Sequence, residues 1–438
     1  MDYGITRLLL FSTLFGVALL GCNRTPEPPS LPPSPQREAY TAVQAQLDTA
    51  TYQDRVLGAL VGSAIGDAMG AATEMWNRRD IQRTYGYVNS LSPAIRYQSP
   101  EGTWDHNLSA GATTDDTRWK ALMGDYLQAA GPDLGPGPFA RHLAETYSAA
   151  LQGLDLQAAA ADPDLLEAPL EQVDWLREWA RVALAYQEGP EAYLLARDRF
   201  YGGEMSCAGM LYTPVFGLVT PDPDSAYRTA YDHALFDLGY ARDISALVAA
   251  MTQVALHTQN MDSVLNTAVF VDPLRFQDSR LVGRIAQDQA LAARDYVRRA
   301  RLLEPLPPGP ALDSLIIRMP EGYPGSSTDW RRQEAVYAML EEDQQAIAFH
   351  AGEIWQILIA ALEFGEGDFM TTMAFIVNYG RDNDTVAAVA GMILGAQQGF
   401  SGLPVGPRNT VLGVNREVLG IDLRRVAHQI GDPYAPAH

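Results

Sequence analysis

The sequence predicts an all-α protein. Three observations point there: two segments striped with glycine every four residues, many segments with apolar residues at helical spacing, and no credible run of alternating strands. In residues 54–72, Gly58, Gly62, Gly66 and Gly70 recur beside Val56, Leu57, Leu60, Val61 and Ile65. In residues 386–400, Ala387, Gly391, Gly395 and Gly399 repeat the step. Residues four apart lie on one helix face. Glycine costs a helix interior about 1 kcal/mol relative to alanine, so each stripe implies a second backbone very close by. The two helices are predicted to lie at the centre and to touch.

Before them, Arg7, an apolar run over 8–20, Gly21 and Cys22 read as an export signal. The run is short for a spanning helix, although an uncleaved anchor is the other reading. Leu19-Leu20-Gly21-Cys22 resembles a bacterial lipobox, with Cys22 lipidated and the chain held at a membrane of the cell envelope. Residues 1–21 are then the signal, 22–36 a proline-rich tether, and 37–438 one domain, opening with a short helix over 37–50. With Cys22 lipidated, Cys207 has no disulfide partner in the chain and reads as a buried small residue rather than a nucleophile. A formal charge of −21 argues against a nucleic-acid partner, which requires clustered Lys and Arg.

Beyond the first glycine segment, Glu74 follows the last glycine and Asp67 lies one turn inside. Residues 85–112 read as mostly loop. Thr113-Thr114-Asp115-Asp116-Thr117 then opens an amphipathic helix carrying Trp119, Leu122, Met123, Tyr126 and Leu127. Further helices are predicted over 139–152, 170–186, 191–199, 224–238, 244–257, 278–303, 330–364 and 368–378. Residues 202–217 have no period and read either as a ligand-facing loop or as an apolar connection. Residues 306–329 are a surface excursion, and the end of the chain is a hairpin-like piece with a helix near 421–430.

The second glycine helix opens with Asp382, Asp384 and Thr385. Such residues are good helix caps, yet the Thr/Asp pattern occurs at two helix starts separated by more than half the chain. Together Thr114, Asp115, Asp116, Asp382, Asp384 and Thr385 supply four carboxylates and two hydroxyls. No Cys or paired His joins them, so the donors suit Mg2+, Mn2+ or Ca2+ rather than zinc or copper. Four converging carboxylates repel one another. Two divalent ions about 3.5–4 Å apart would relieve that.

These motifs resemble the ADP-ribosylglycohydrolase family. Its G-D-A-x-G-x-x-x-E signature matches Gly66 to Glu74, its T-D-D-T matches Thr114 to Thr117, and its G-x-D-x-D-T matches Gly380 to Thr385. The resemblance implies an orthogonally packed helical domain around a binuclear Mg2+ centre, with Mn2+ as an alternative. It implies hydrolysis of the bond between ADP-ribose, or a related ribosyl group, and a protein side chain or small acceptor. Thr114, Asp115, Asp116, Asp382, Asp384 and Thr385 would be metal ligands. Glu74 would be the catalytic carboxylate, its other reading being a surface acid at a helix end. The family's G-N-G-x-x-M-R-x-x-P loop corresponds to Ser206 to Pro214, making Ser206, Gly209 and Met210 candidate substrate contacts. Ser206 and Leu211 depart from that pattern, and Arg381 and Asn383 replace smaller residues, so another N- or O-glycoside, or a non-catalytic binding role, stays open.

Overall fold

A computed structural model describes residues 47–95, 107–131, 133–279 and 281–436. The expected signal, Cys22 and the expected tether lie outside them. Within the described residues the domain is helical, and its one sheet is a two-residue antiparallel pair, Trp76–Asn77 with Gly380–Arg381.

The two glycine helices form the axis. The first, Thr49–Gly70, runs antiparallel to the second, Asn383–Gly402, and their backbones touch along the whole contact. A Cβ on Gly62 would lie 2.3 Å from the Gly391 carbonyl oxygen, one on Gly395 2.0 Å from that of Gly58, and one on Gly66 2.0 Å from that of Ala387. At the far end, a Cβ on Gly70 would lie 2.3 Å from the Asp384 Cα. Gly399 departs from the predicted stripe: it breaks the helix at φ 73° and ψ 166°, where Asp54 fills the space a side chain would need. The chain then turns by 103° into a further helix, Val405–Glu417.

Around this axis, Leu423–Gly431 packs on both the first glycine helix and Asp115–Ala130, the helix opened by the threonine-aspartate motif. Ala241–His257 and Ala351–Gly365 cover the second glycine helix. Trp119, Tyr126, Tyr212, Phe236 and Trp355 are fully buried between these elements. No single helix among the described residues is long and apolar enough to cross a membrane.

Several predicted boundaries are corrected. The expected helix over 330–364 is two, Ser327–Glu342 and Ala351–Gly365. Between them the backbone bonds to the 202–217 stretch instead: Cys207 N–H donates to the Phe349 carbonyl and Ala351 N–H to that of Met205. The helix expected over 278–303 is Ile285–Arg301, because Arg284 turns inward to a buried ion pair with Asp243. The one over 224–238 ends at His233, freeing Asp237 to turn toward Gly209. The surface excursion contains a helix, Pro310–Arg318. The hairpin expected after residue 402 is the Val405–Glu417 helix, whose Pro407 stands in the first turn, where no N–H is needed. A separate helix over 37–50 is not seen in its described part: Asp48 caps the first glycine helix instead.

The glycine contact makes a sharp stability test. Alanine is the better helix former by about 1 kcal/mol, yet overpacking costs about 1–3 kcal/mol. Gly62→Ala and Gly395→Ala should each lower the unfolding free energy by about 2 kcal/mol. Gly413→Ala, where a Cβ meets nothing within 4 Å, should be neutral or stabilising. Equal denaturation midpoints for all three would refute the close contact.

A second test concerns Asp237, which is fully buried and accepts from Gly209 N–H at 2.8 Å and Ser245 Oγ at 2.5 Å. Burial pushes its carboxyl up to about 6 from an ordinary 3.8. Protonation therefore favours the folded state: its contribution is complete below about pH 4 and is lost as pH rises through about 6. Asp237→Asn keeps the shape without the charge. It should match the parent below about pH 4 and exceed it by up to about 3 kcal/mol above about pH 7, read by urea unfolding.

Candidate metal and active site

The glycine register assembles the site. Because Gly70 rests on Asp384, the C-terminal end of the first glycine helix meets the N-terminal end of the second. That end carries exposed N–H groups and the positive pole of the helix dipole, which favours carboxylates. The short strand pair closes the same end, and its two sides hold non-glycine residues at positive φ, Met75 at 61° and Arg381 at 65°. Such conformations cost on the order of 1 kcal/mol or more and persist where surrounding contacts fix them. Here Met75 N–H donates to the Arg381 carbonyl at 2.7 Å, and the Arg381 guanidinium forks onto Glu353 at 2.5 and 2.9 Å.

Asp67, completely buried in the first glycine helix, fixes the start of the Asp115–Ala130 helix. It accepts from Thr114 N–H at 2.8 Å, Thr117 N–H at 3.0 Å and Thr117 Oγ1 at 2.6 Å. Burial, then Asp116, pushes its carboxyl upward, while the bonds from Thr117 and Thr114 oppose the rise. Sequence reading noticed Asp67 without a role, because the role depends on a helix about fifty residues away in the chain.

The two Thr/Asp clusters interlock. Thr114 Oγ1 donates to Asp384 Oδ2 at 3.2 Å, and Thr385 Oγ1 donates to Asp116 Oδ2 at 3.0 Å. Glu74, Asp382 and Asp384 each place one carboxylate oxygen within 4.8 Å of the others. Asp384 Oδ1 is buried without a hydrogen-bond partner. Burial drives the Asp384 carboxyl well above its ordinary range, and Glu74, Asp116, Asp67 and Asp115 add to it in that order. Simple capping does not explain these acids. Thr114 caps its helix by accepting from Asp116 N–H, but Asp382, at the equivalent position, makes no side-chain cap bond. A buried carboxylate oxygen lacking a donor, among other hard oxygens, fits a hard divalent cation. The residues present therefore suit the Mg2+ or Mn2+ that the sequence implies.

Among the candidate substrate contacts, Ser206 is half-buried with a buried, unpartnered Oγ, and its backbone bridges to His350. Gly209 spends its amide on Asp237, and Met210 lies in the hydrophobic core. The residue of this stretch that reaches the acids is Cys207, whose thiol donates to Asp382 Oδ2 at 3.6 Å. Burial, then Asp382, holds that thiol protonated by raising it well above its usual value. The 202–217 stretch is thus a connection that also lays one side chain on the acid cluster. Asn383 points inward, donating to Thr73 Oγ1 and the Val377 carbonyl. Lys120, which belongs to none of the sequence motifs, is buried and paired with Asp116 at 3.1 Å. Cavities of 490 Å³ and 770 Å³ lie elsewhere, sharing Arg301 and Glu366 and including none of these acids.

The chain resembles several known proteins. An 81-residue stretch is 37% identical to ADP-ribosyl-[dinitrogen reductase] glycohydrolase of Rhodospirillum rubrum, covering 18% of this chain and 24% of that one. A 74-residue stretch is 32% identical to uncharacterized protein YegU of Escherichia coli K12, covering 17% and 21%. The chain thus spans about a quarter of the length of these curated relatives. A solved structure described as an ADP-ribosylglycohydrolase-related protein complex aligns with 88% of this chain and 99% of its own, at 20% identity and a TM-score of 0.48. The family model for ADP-ribosylglycohydrolase matches residues 48–434, nearly the whole domain and every acid of the cluster, and the chain belongs to that family.

Proposed function

We propose that this chain is a divalent-cation-dependent hydrolase of ribosyl glycosidic bonds. Its substrate class would be ADP-ribose, or a related ribosyl group, attached to a protein side chain or small acceptor. The observation that supports this is Asp384, a buried carboxylate with one oxygen on Thr114 and the other unpartnered, in one cluster with Glu74 and Asp382. It stands inside a chain of the ADP-ribosylglycohydrolase family.

Glu74, Asp382 and Asp384 would hold the cation, with Thr114, Asp115 and Thr385 completing the oxygen set and Asp116 paired instead with Lys120. When bound, the cation supplies Lewis acidity and orients sugar hydroxyls and water. The chain's own groups supply the rest. The half-buried Glu74 takes the proton of the attacking water as the bond from the anomeric carbon to the acceptor breaks, and that proton is returned to the departing acceptor. The surrounding acids favour the positive charge that develops at the anomeric carbon in an oxocarbenium-like transition state. Asp67 keeps Thr114 and Thr117 in place, so Thr114 stays on Asp384. Cys207 in the position of the family's loop, and Arg381 beside Asp382, support an acceptor that differs from those of other members.

Activity on ADP-ribosyl-arginine, ADP-ribosyl-serine and simple ribosides, measured beside metal content, tests this reading. Because Glu74 also helps hold the cation, Glu74→Gln is measured at saturating divalent ion, where it should still lose about 10²–10⁴-fold in kcat. Asp384→Asn should retain the fold and lose metal and activity together. A parent that binds no divalent ion at millimolar concentration would leave only a binding or structural role.

Export belongs to the same proposal. Cys22, following the short apolar run and Leu19-Leu20-Gly21, would carry lipid and tether the domain to a cell-envelope membrane through its proline-rich segment. Mass spectrometry of the exported chain should find Cys22 as a diacylated N-terminus; an unmodified Cys22 would overturn the tether.

A further inference from the structure

The acid cluster is divided into two unlike halves. On one side, both oxygens of Asp116 already have protein donors: Lys120 Nζ at 3.1 Å on Oδ1 and Thr385 Oγ1 at 3.0 Å on Oδ2. On the other, Glu74, Asp382 and Asp384 converge, and Asp384 Oδ1 has no donor. The Lys120 side chain is only 2% exposed and that of Asp116 1%, so the ammonium is a fixed charge inside the protein. An ammonium without a partner is costly to bury, and Lys120 reaches its partner because Asp116 lies one helical turn before it. Its charge also acts on Asp67, lowering that carboxyl against the upward push of burial.

Resting on the cation-dependent reading above, we propose that Lys120 stands in for a second metal ion. It holds Asp116 as an internal counter-charge, so that the cluster binds one divalent ion tightly, at Glu74, Asp382 and Asp384. With Lys120 on one oxygen and Thr385 on the other, Asp116 offers a second dication no unpartnered oxygen. A dication drawn to Asp116 would meet the ammonium across a single carboxylate in a medium of low dielectric, where repulsion between like charges is strong. The lysine therefore changes the number of ions rather than the kind.

The test is stoichiometry. Metal-stripped protein is titrated with Mn2+, with free ion followed by electron paramagnetic resonance and bound ion by elemental analysis. The parent should take up one tight equivalent. Lys120→Met removes the charge and keeps the volume, and it should bind a second Mn2+ at least about tenfold more tightly than the parent does. Its metal-free form should melt below the parent and recover with Mn2+. If Lys120→Met does not fold, the double variant Asp116→Asn/Lys120→Met decides, since it leaves neither charge behind. It should keep one equivalent at an affinity within about tenfold of the parent. Loss of that equivalent would show Asp116 to be a ligand of the tight ion and overturn the proposal. Two equal equivalents in the parent, or a second site in Lys120→Met no tighter than before, would overturn it while leaving the hydrolase reading intact. A parent with no bound Mn2+ would overturn both.

Discussion

Everything in this domain depends on how closely two helix backbones approach. The carbonyl oxygens of Gly58, Gly62 and Ala387 occupy the space where side chains would stand on Gly395, Gly391 and Gly66. No residue other than glycine fits there without moving a helix. A contact made of backbone has almost no freedom to slide, because each carbonyl sits in a notch spaced by one helical turn. The register therefore also sets where the ends fall. Gly70 meets Asp384, and the acids of both helix ends come to one place.

That rigidity suits the electrostatics. Asp67, Asp116, Asp382 and Asp384 are all buried, and burying charge without compensation is strongly unfavourable. The fold answers with local donors. Thr114 and Thr117 serve Asp67, Thr385 and Lys120 serve Asp116, and Cys207 serves Asp382. Asp384 keeps one oxygen free. A packed backbone contact can hold such repelling groups together where a looser helix pair would spread.

The sequence revealed the scaffold more readily than the details around it. Four-residue glycine spacing is a local signal with one physical cause, and both helices lie where it places them. The repeated Thr/Asp starts were equally local. Gly399 matched the spacing but not the cause: at φ 73° it makes a turn. The break before Ala351 was hidden because it is stabilised by hydrogen bonds to Met205 and Cys207, about 145 residues away in the chain. The Val405–Glu417 helix was hidden by Pro404, Gly406 and Pro407, residues common in turns that are also tolerated at a helix start. Cys207 carries no spacing signal, and Lys120 carries only the four-residue step from Asp116 that any surface helix pair has. Their importance lies in which acids they face, and only the packed fold decides that.

The distribution of donors along the chain has a consequence for synthesis. Glu74, Thr114, Asp115 and Asp116 are all present by residue 116, but Asp382, Asp384 and Thr385 come nearly three hundred residues later. The backbone partner of the first glycine helix arrives at the same late moment. An emerging chain therefore carries an exposed glycine face and half of the acid cluster through most of its translation. Closing so long a loop is slow and entropically unfavourable compared with local contacts. The last step that completes the helical axis also completes the acid cluster, so the cluster exists only in a chain whose distant halves have already met.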